Sequence, residues 1–362
     1  MQPFTGFARL VLAAAPLMLL ARSASAQHYT QFNLVSNQSG QAAHMDANLV
    51  NAWGIAHTGT TPWWVADNGT GKSTVLNSTT GATLLTITVP GAPTGMVANS
   101  TPGFSVLGGA PARFLFASED GTISAWNGGA QAQVVVTTVG AVYKGIAIAI
   151  VDGNPRLYAT DFHGGHIDVF DASFQPVTRG NGNGNGNGND DSFFSGKPNG
   201  LVPFNIQNLG DTMFVTFAKQ DSAKHDEVDG PGLGLIGAFT PAGKLIQWFD
   251  QVNDLNAPWG LAMAPSEFGT FSHHLLVGQF GSGEILAFNA SSGKFAGKLL
   301  QPVSAGGQPI VIDGVWGIGF GNGGSAGPLN TLFFAAGPNG ESNGLFGTLT
   351  TVPADLVQGN SN

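Results

Sequence analysis

The residues of this chain best placed to do chemistry are polar groups that end apolar runs abruptly. Only 10% of the residues are charged. Against that background Asn68, Glu119, Asp161, Lys219 and Gln279 each close an apolar run, and Gly337 closes a sixth. Asp67, Asp120 and Asp221 lie beside them. Oxygen donors gathered at one mouth suit calcium, and Asn68, Glu119 and Asp161 are the expected ligands. Converging carboxylates repel one another unless a positive group neutralises them, so Lys219 is the alternative to the ion. Asn51, Asn199 and Lys144 fall close enough in the pattern to join the same face. The run His163-Gly164-Gly165-His166 offers two imidazoles at i, i+3 with Asp161 nearby. A zinc site needs three or four such ligands; a solvated polar turn is the other reading. Trp53, Trp259 and Trp316 each precede a Gly-apolar step. A ring of them would stack on a sugar or aromatic ligand, or wedge between packed structural units.

Three glycine motifs are set aside. Residues 232–237 and 319–324 both spell G-x-G-x-x-G, and 323–327 spells G-x-S-x-G. The first needs a strand-to-helix turn in a βαβ unit, the second a strand-to-helix elbow. Both sit here between strand-like runs, so neither a dinucleotide nor a nucleophilic serine is expected.

The elements that must position these groups form a repeat. Six segments share a Gly followed by alternating apolar residues, with the glycines at 54, 95, 145, 200, 260 and 317. Each is followed by a second apolar run, a polar turn and a third, and many add a fourth. The runs are short, rich in β-branched and aromatic residues, and bounded by Gly, Asn, Asp and Pro. No window sustains a helical apolar period. Four strands in a unit of about 56 residues fit a propeller blade, so the expected fold is all-β, a six-bladed β-propeller of four-stranded antiparallel blades. The last unit lacks its fourth strand, and residues 28–35 form a strand-like segment with no partner of its own. That segment is expected to complete blade six and close the ring, covering an edge that would otherwise invite aggregation. Glycine at the start of each innermost strand suits a crowded axis.

Two insertions break the period. One is the Asn-Gly tract at 180–189, expected as a loop between blades three and four. The other, 219–232, joins the middle strands of blade four. Both emerge on one face, which becomes the expected ligand face.

Arg9, the apolar run from Leu10 to Leu20 and Ala24-Ser25-Ala26 read as a secretory signal peptide with cleavage after Ala26. Residues 27–362 then form a single domain, secreted or periplasmic. The formal net charge of -9 argues against nucleic acid as a partner. No later window is long and apolar enough for a membrane span. Zero cysteines exclude a disulfide framework. A monomer is expected.

Several stretches resemble a family of secreted bacterial propeller proteins related to NHL-type six-bladed propellers, some carrying a PEP-CTERM sorting anchor. They are Asn48 to Ala56, Asp67-Asn68-Gly69-Thr70-Gly71, Glu119 to Ser124, Val142-Tyr143-Lys144-Gly145, Pro203 to Asn208, Ala218 to Asp221, and Leu255 to Ala262. The resemblance covers nearly the whole chain after residue 26 and implies the fold, but no activity. The chain departs from the pattern at the Asn-Gly tract, and it ends without a sorting anchor. Two functions follow as expectations. One is an exported binding module that takes a small molecule, glycan, peptide or partner protein on its loop-rich face. The other is a divalent-metal-dependent hydrolase or lyase of the lactonase type at the channel mouth, with Ca2+ as its cofactor.

Overall fold

The computed structural model describes residues 28–106, 108–177 and 200–352. The leader, the Asn-Gly tract and Asn199 lie outside the described residues. An outlying pair of strands comes first, β1 (Tyr29–Ser36) and the two-residue β2 (His44–Met45). Blade one is β3 (Ala52–Ala56), β4 (Trp63–Asp67), β5 (Lys72–Leu76) and β6 (Thr83–Thr88). Blade two is β7 (Pro93–Ala98), β8 (Phe114–Ser118), β9 (Thr122–Trp126) and β10 (Gln133–Thr137). Blade three is β11 (Tyr143–Val151), β12 (Asn154–Asp161) and β13 (His166–Asp171), with a further bridge between Phe170 and Pro176. Blade four is β14 (Leu201–Leu209), β15 (Thr212–Lys219), β16 (Gly234–Phe239) and β17 (Leu245–Trp248). Blade five is β18 (Pro258–Met263), β19 (His274–Gln279), β20 (Ile285–Asn289) and β21 (Phe295–Lys298). Blade six is β22 (Val315–Phe320), β23 (Leu332–Ala336) and β24 (Leu345–Thr351), completed by β1.

All ladders within the blades are antiparallel. β1 pairs with β24 from Tyr29↔Thr351 to Ser36↔Leu345, so residues from the beginning of the described chain close the ring as the missing fourth strand anticipated. Tyr29 seals this seam: its ring is buried against Phe268, and its hydroxyl donates to the Phe268 carbonyl at 3.1 Å.

Apolar residues on both faces of the inner strands are explained by the packing of blade on blade. Each of six buried clusters draws side chains from two adjacent blades, as Ala147, Tyr158, Ile206 and Val215 do between blades three and four. A seventh cluster, on the axis, is formed by Trp53, Phe162, Phe204, Ala218, Ala257, Trp259 and Trp316.

The axis is crowded by backbone. A Cβ on Gly54 would meet the Thr94 carbonyl at 2.6 Å, and one on Gly95 would meet the Gly145 Cα at 2.9 Å. One on Gly260 would collide with the Trp316 carbonyl, and one on Gly317 would meet the Trp53 carbonyl at 2.7 Å. The blades therefore follow one another around a closed collar. Gly200 is not part of it: no atom lies within 4 Å of where its Cβ would be, and its φ is +80°. Asn205 takes the sixth place in blade four, beside Gly145, and its side-chain amide donates to the Trp259 carbonyl at 2.8 Å. The expected alignment of blade four was thus five residues early, because Pro198-Asn199-Gly200 imitates the motif that Pro203-Phe204-Asn205 fills.

Candidate functional site

Every innermost strand carries a register shift near its start, one residue in for five strands and three residues in for β14. A β-bulge bends its strand and re-aims a side chain. The residues at these shifts are Trp53, Thr94, Lys144, Phe204, Trp259 and Trp316. Thr94 stays in the seam, donating to the Tyr143 carbonyl at 2.7 Å. The other five converge on the axis. Trp53 and Trp316 stack with ring centroids 3.8 Å apart, and Phe280 stacks on Trp316 at 4.0 Å. Trp259 meets Trp316 edge-on at 5.8 Å, as does Phe204. Trp53, Trp259 and Trp316 are 1%, 5% and 0% exposed. They form a plug across the channel and present no face for a sugar at the mouth.

Lys144 is the fifth converging residue. Its side chain is fully buried, and its ammonium lies 4.9 Å from the centre of the Trp53 ring. Nζ donates to Glu119 Oε1 at 2.5 Å and to Asp226 Oδ1 at 3.2 Å. Desolvation would strip its charge, but Glu119, Glu227 and Asp226 outweigh burial and hold its pKa above the ordinary lysine value. Glu119 Oε2 accepts from Asn68 Nδ2 at 2.9 Å, and Asn68 Oδ1 accepts from Asn51 Nδ2 at 3.1 Å. Asn51 Nδ2 also donates to Glu341 Oε1 at 2.8 Å, while Asn51 Oδ1 accepts from Trp316 Nε1 at 3.0 Å. A continuous hydrogen-bonded chain thus ties blades one, two, three and six together at the mouth.

The insertion between β15 and β16 closes over this network. Asp221 accepts from the His225 backbone at 2.9 Å and shapes the loop, and His225 Nδ1 lies 2.8 Å from Asp226 Oδ1. Lys144 and His225 together hold Asp226 below the ordinary carboxylate range despite its desolvation. Beside it, half-buried Glu227 is pushed up to about 8: desolvation dominates, Glu341 and Asp229 add to it, and Lys144 opposes it. Glu341 is also raised, by desolvation first and then by Glu119 and Asp226.

A carboxyl raised in the folded state binds a proton there that the unfolded chain has released. Its stabilisation is complete below the unfolded value and is lost as pH rises towards the folded one. For Glu227 that window runs from about 4.5 to about 8. Glu227→Gln is expected to flatten the decline and to make the variant more stable than the parent at pH 8. Urea unfolding midpoints at pH 5 and pH 8 measure it; equal declines in the two proteins would discard the role given to Glu227.

The remaining expected site residues are dispersed. Asp67 is fully buried at the end of β4; Thr74 Oγ1 donates to one oxygen at 3.4 Å, the other has no partner, and burial raises its pKa well above the usual range. Asp120 braces its own turn by accepting from Thr122 N and Oγ1. Gln279 is fully buried and holds the Asn256 backbone at 2.9 Å. His163 is exposed, and its carbonyl accepts from Gln220. Lys219 is exposed at the end of β15. Lys144, rather than Lys219, neutralises the mouth.

The expected trio of Asn68, Glu119 and Asp161 does not converge. Asp161 accepts from the Val142 and Gly164 amides and lies 3.6 Å from His166, in a group with Asp168 that is separate from Glu119. Asp168 in turn accepts from the Tyr143 hydroxyl. Glu119, His225 and Asp226 make a second group with atoms within 4.8 Å of one another. Here an ammonium already bridges two of the acids, and Asn68 takes the other Glu119 oxygen. Calcium asks for roughly six to eight oxygens, and neither group supplies them. The register explains the dispersal. Asp67, Ser118, Asp161, Phe217 and Gln279 face the residue just before the register shift of their inner strands, so the positions level with Asn68 and Glu119 are Phe162, Ala218 and Phe280. Glu341, from the loop after β23, has no counterpart in the repeat, and only its place past the end of a second strand pointed to the mouth.

Below the plug the axis reopens on the opposite face as a well of about 430 Å³. Six blades closed by a shared last sheet, with a sealed axis under a polar mouth, define a six-bladed β-propeller.

The chain belongs to a family that includes two proteins of Acanthamoeba polyphaga mimivirus. L690, an uncharacterised protein, is 32% identical over 337 residues, covering 87% of this chain and 84% of the relative. R648, also uncharacterised, is 31% identical over 337 residues, covering 87% and 78%. These relatives are viral, whereas the resemblance of the motifs pointed to bacterial proteins. No protein-family model matches the chain. Among solved structures, BBS1N in its complex with ARL6DN aligns with a TM-score of 0.47 at 12% identity, over 91% of this chain and 99% of that one. Glutaminyl cyclase of Myxococcus xanthus aligns with a TM-score of 0.37 at 14% identity, over 71% and 95%.

Proposed function

We propose that this protein is an exported binding module whose loop-rich face takes a basic peptide segment of a partner protein. The observation that carries this reading is the imbalance at the mouth. Glu119, Asp226, Glu227 and Glu341 share one ammonium, Lys144, beneath an exposed loop. Glu227 and Glu341 remain acids with raised pKa values, and an incoming cation would favour their ionised forms. A glycan is disfavoured here because the tryptophans that would stack on it are buried in the plug. Export through the leader at 1–26 and kinship with NHL-like exported propellers belong to the same reading. The lactonase-type alternative has no comparable support, since the mouth donors do not fit a calcium ion.

Selection of a random peptide library on the immobilised full chain tests the proposal. Enriched peptides should be rich in Lys and Arg, and their affinity should fall as salt rises. Asp226→Asn together with Glu341→Gln, in a chain that still melts cooperatively, should weaken capture at least tenfold by removing acids from the mouth. Acidic or apolar enrichment, or capture that ignores the loss of these two acids, would overturn it. In parallel, chelator and millimolar Ca2+ should leave the melting temperature unchanged; a rise with Ca2+, by mass action on a folded-state site, would revive the metal-dependent alternative.

A further inference from the structure

The well on the far side of the plug is a second, separate cavity. Its blind end is the collar of Gly54, Gly95 and Gly317 with Asn205 and Trp259, and it opens towards His57, Ser100 and Phe320. The innermost strands β3, β7, β11, β14, β18 and β22 each end their sheet, so their axis-side edges offer backbone donors and acceptors that no ladder uses. Between these edges lie apolar side chains such as Ile55, Val97, Ile148 and Met263. Among the described residues, no Asp, Glu, Lys or Arg lines the well. Its polar side chains are neutral amides, a hydroxyl and His57, whose two ring nitrogens already face the Thr58 and Phe320 carbonyls. Two polar atoms of the lining residues are buried without a partner, Trp259 Nε1 and Asn208 Oδ1, one a donor and one an acceptor. Both atoms are closed off from solvent, so the hydrogen bonds the well offers an incoming molecule come from the free strand edges.

We propose that this well binds an uncharged small molecule that combines apolar surface with a hydrogen-bonding end. A volume of about 430 Å³ falls within the range of small-molecule pockets. A charged ligand would lose its hydration to a wall that offers no countercharge. The mouth and the well do not compete, because the stacked tryptophans separate them.

N-phenyl-1-naphthylamine, uncharged and apolar with a single N–H, is the probe, and anilinonaphthalene sulfonate is its charged counterpart. Titration into the full chain should give a saturable one-to-one rise in fluorescence with the first and at least tenfold weaker binding of the second. Val97→Trp and Ile148→Trp each push an indole into the well from a half-buried position. Either variant that keeps the parent melting temperature should weaken the neutral probe at least tenfold. Asp226→Asn with Glu341→Gln should leave probe binding unchanged, so failure at the mouth and failure at the well are read separately. Non-saturable binding, equal binding of the sulfonate, or full binding by a folded well-filling variant would overturn the proposal.

Discussion

A chain that begins at Gly40 is expected not to fold at 37 °C. The lost strand carries Tyr29, Leu34 and Val35, all at most 3% exposed. Burying each is worth about 1.5–3 kcal/mol, so these three side chains alone approach the whole stability of a typical domain, about 5–15 kcal/mol. The deletion also unpairs β24 and opens the seam containing Leu332, Phe334 and Leu349. Circular dichroism on heating provides the measurement. A synthetic peptide of residues 28–36 added to the truncated chain should restore a cooperative melt, which distinguishes a missing strand from general damage. A truncated chain that melts within a few degrees of its parent would show that β1 is only an appendage.

Lys144→Met should be the most damaging single substitution at the mouth. Removing one partner of a buried ion pair leaves the other charge uncompensated, at a cost of about 3–5 kcal/mol. Glu119 is that partner, with 15% of its side chain exposed. The loss should shrink in acid, where protonation relieves the carboxylates, and adding Glu119→Gln should recover most of it at neutral pH. Lys219→Met, at an exposed position, should change stability by no more than about 0.5 kcal/mol. Chemical denaturation of the four proteins at pH 5 and pH 7 makes the comparison. A neutral Lys144→Met would mean that the carboxylates at the mouth do not depend on the ammonium.

Much of this architecture can be read from residue patterns because the physics repeats. Glycine is demanded wherever backbone meets backbone at the axis, and five of the six collar positions declare themselves that way. The sixth is hidden because Asn205 turns its side chain into a hydrogen bond to the next blade, while Gly200 supplies a false match. The mouth was less legible. Where an apolar run stops says where burial ends, which is a different place from where a strand ends. Asp161 and Gln279 are polar yet still inside their ladders, and Phe162 and Phe280 are apolar yet past them. The bulge in each innermost strand adds a residue without changing the apolar alternation, so the turn of Lys144 and the tryptophans onto the axis left no periodic signal. Glu341 and the Asp226–Glu227 pair come from loops, whose approach to Lys144 depends on loop shape.

The closing strand also sets an order of events for folding. The Ser36 hydroxyl bonds to the Gly344 carbonyl across 308 residues, so this contact waits until nearly the whole chain exists. Contacts this remote in sequence carry a large loop-closure entropy and slow the final step. Until then β24 has one open edge and the first strand has no partner, while five blades can already assemble on their neighbours. A nascent chain would therefore remain an open arc, with its N-terminal segment unengaged, for the duration of synthesis. For a protein proposed to leave the cell by way of an N-terminal leader, that delay is useful: the end that must be threaded first is the last to be captured by the fold.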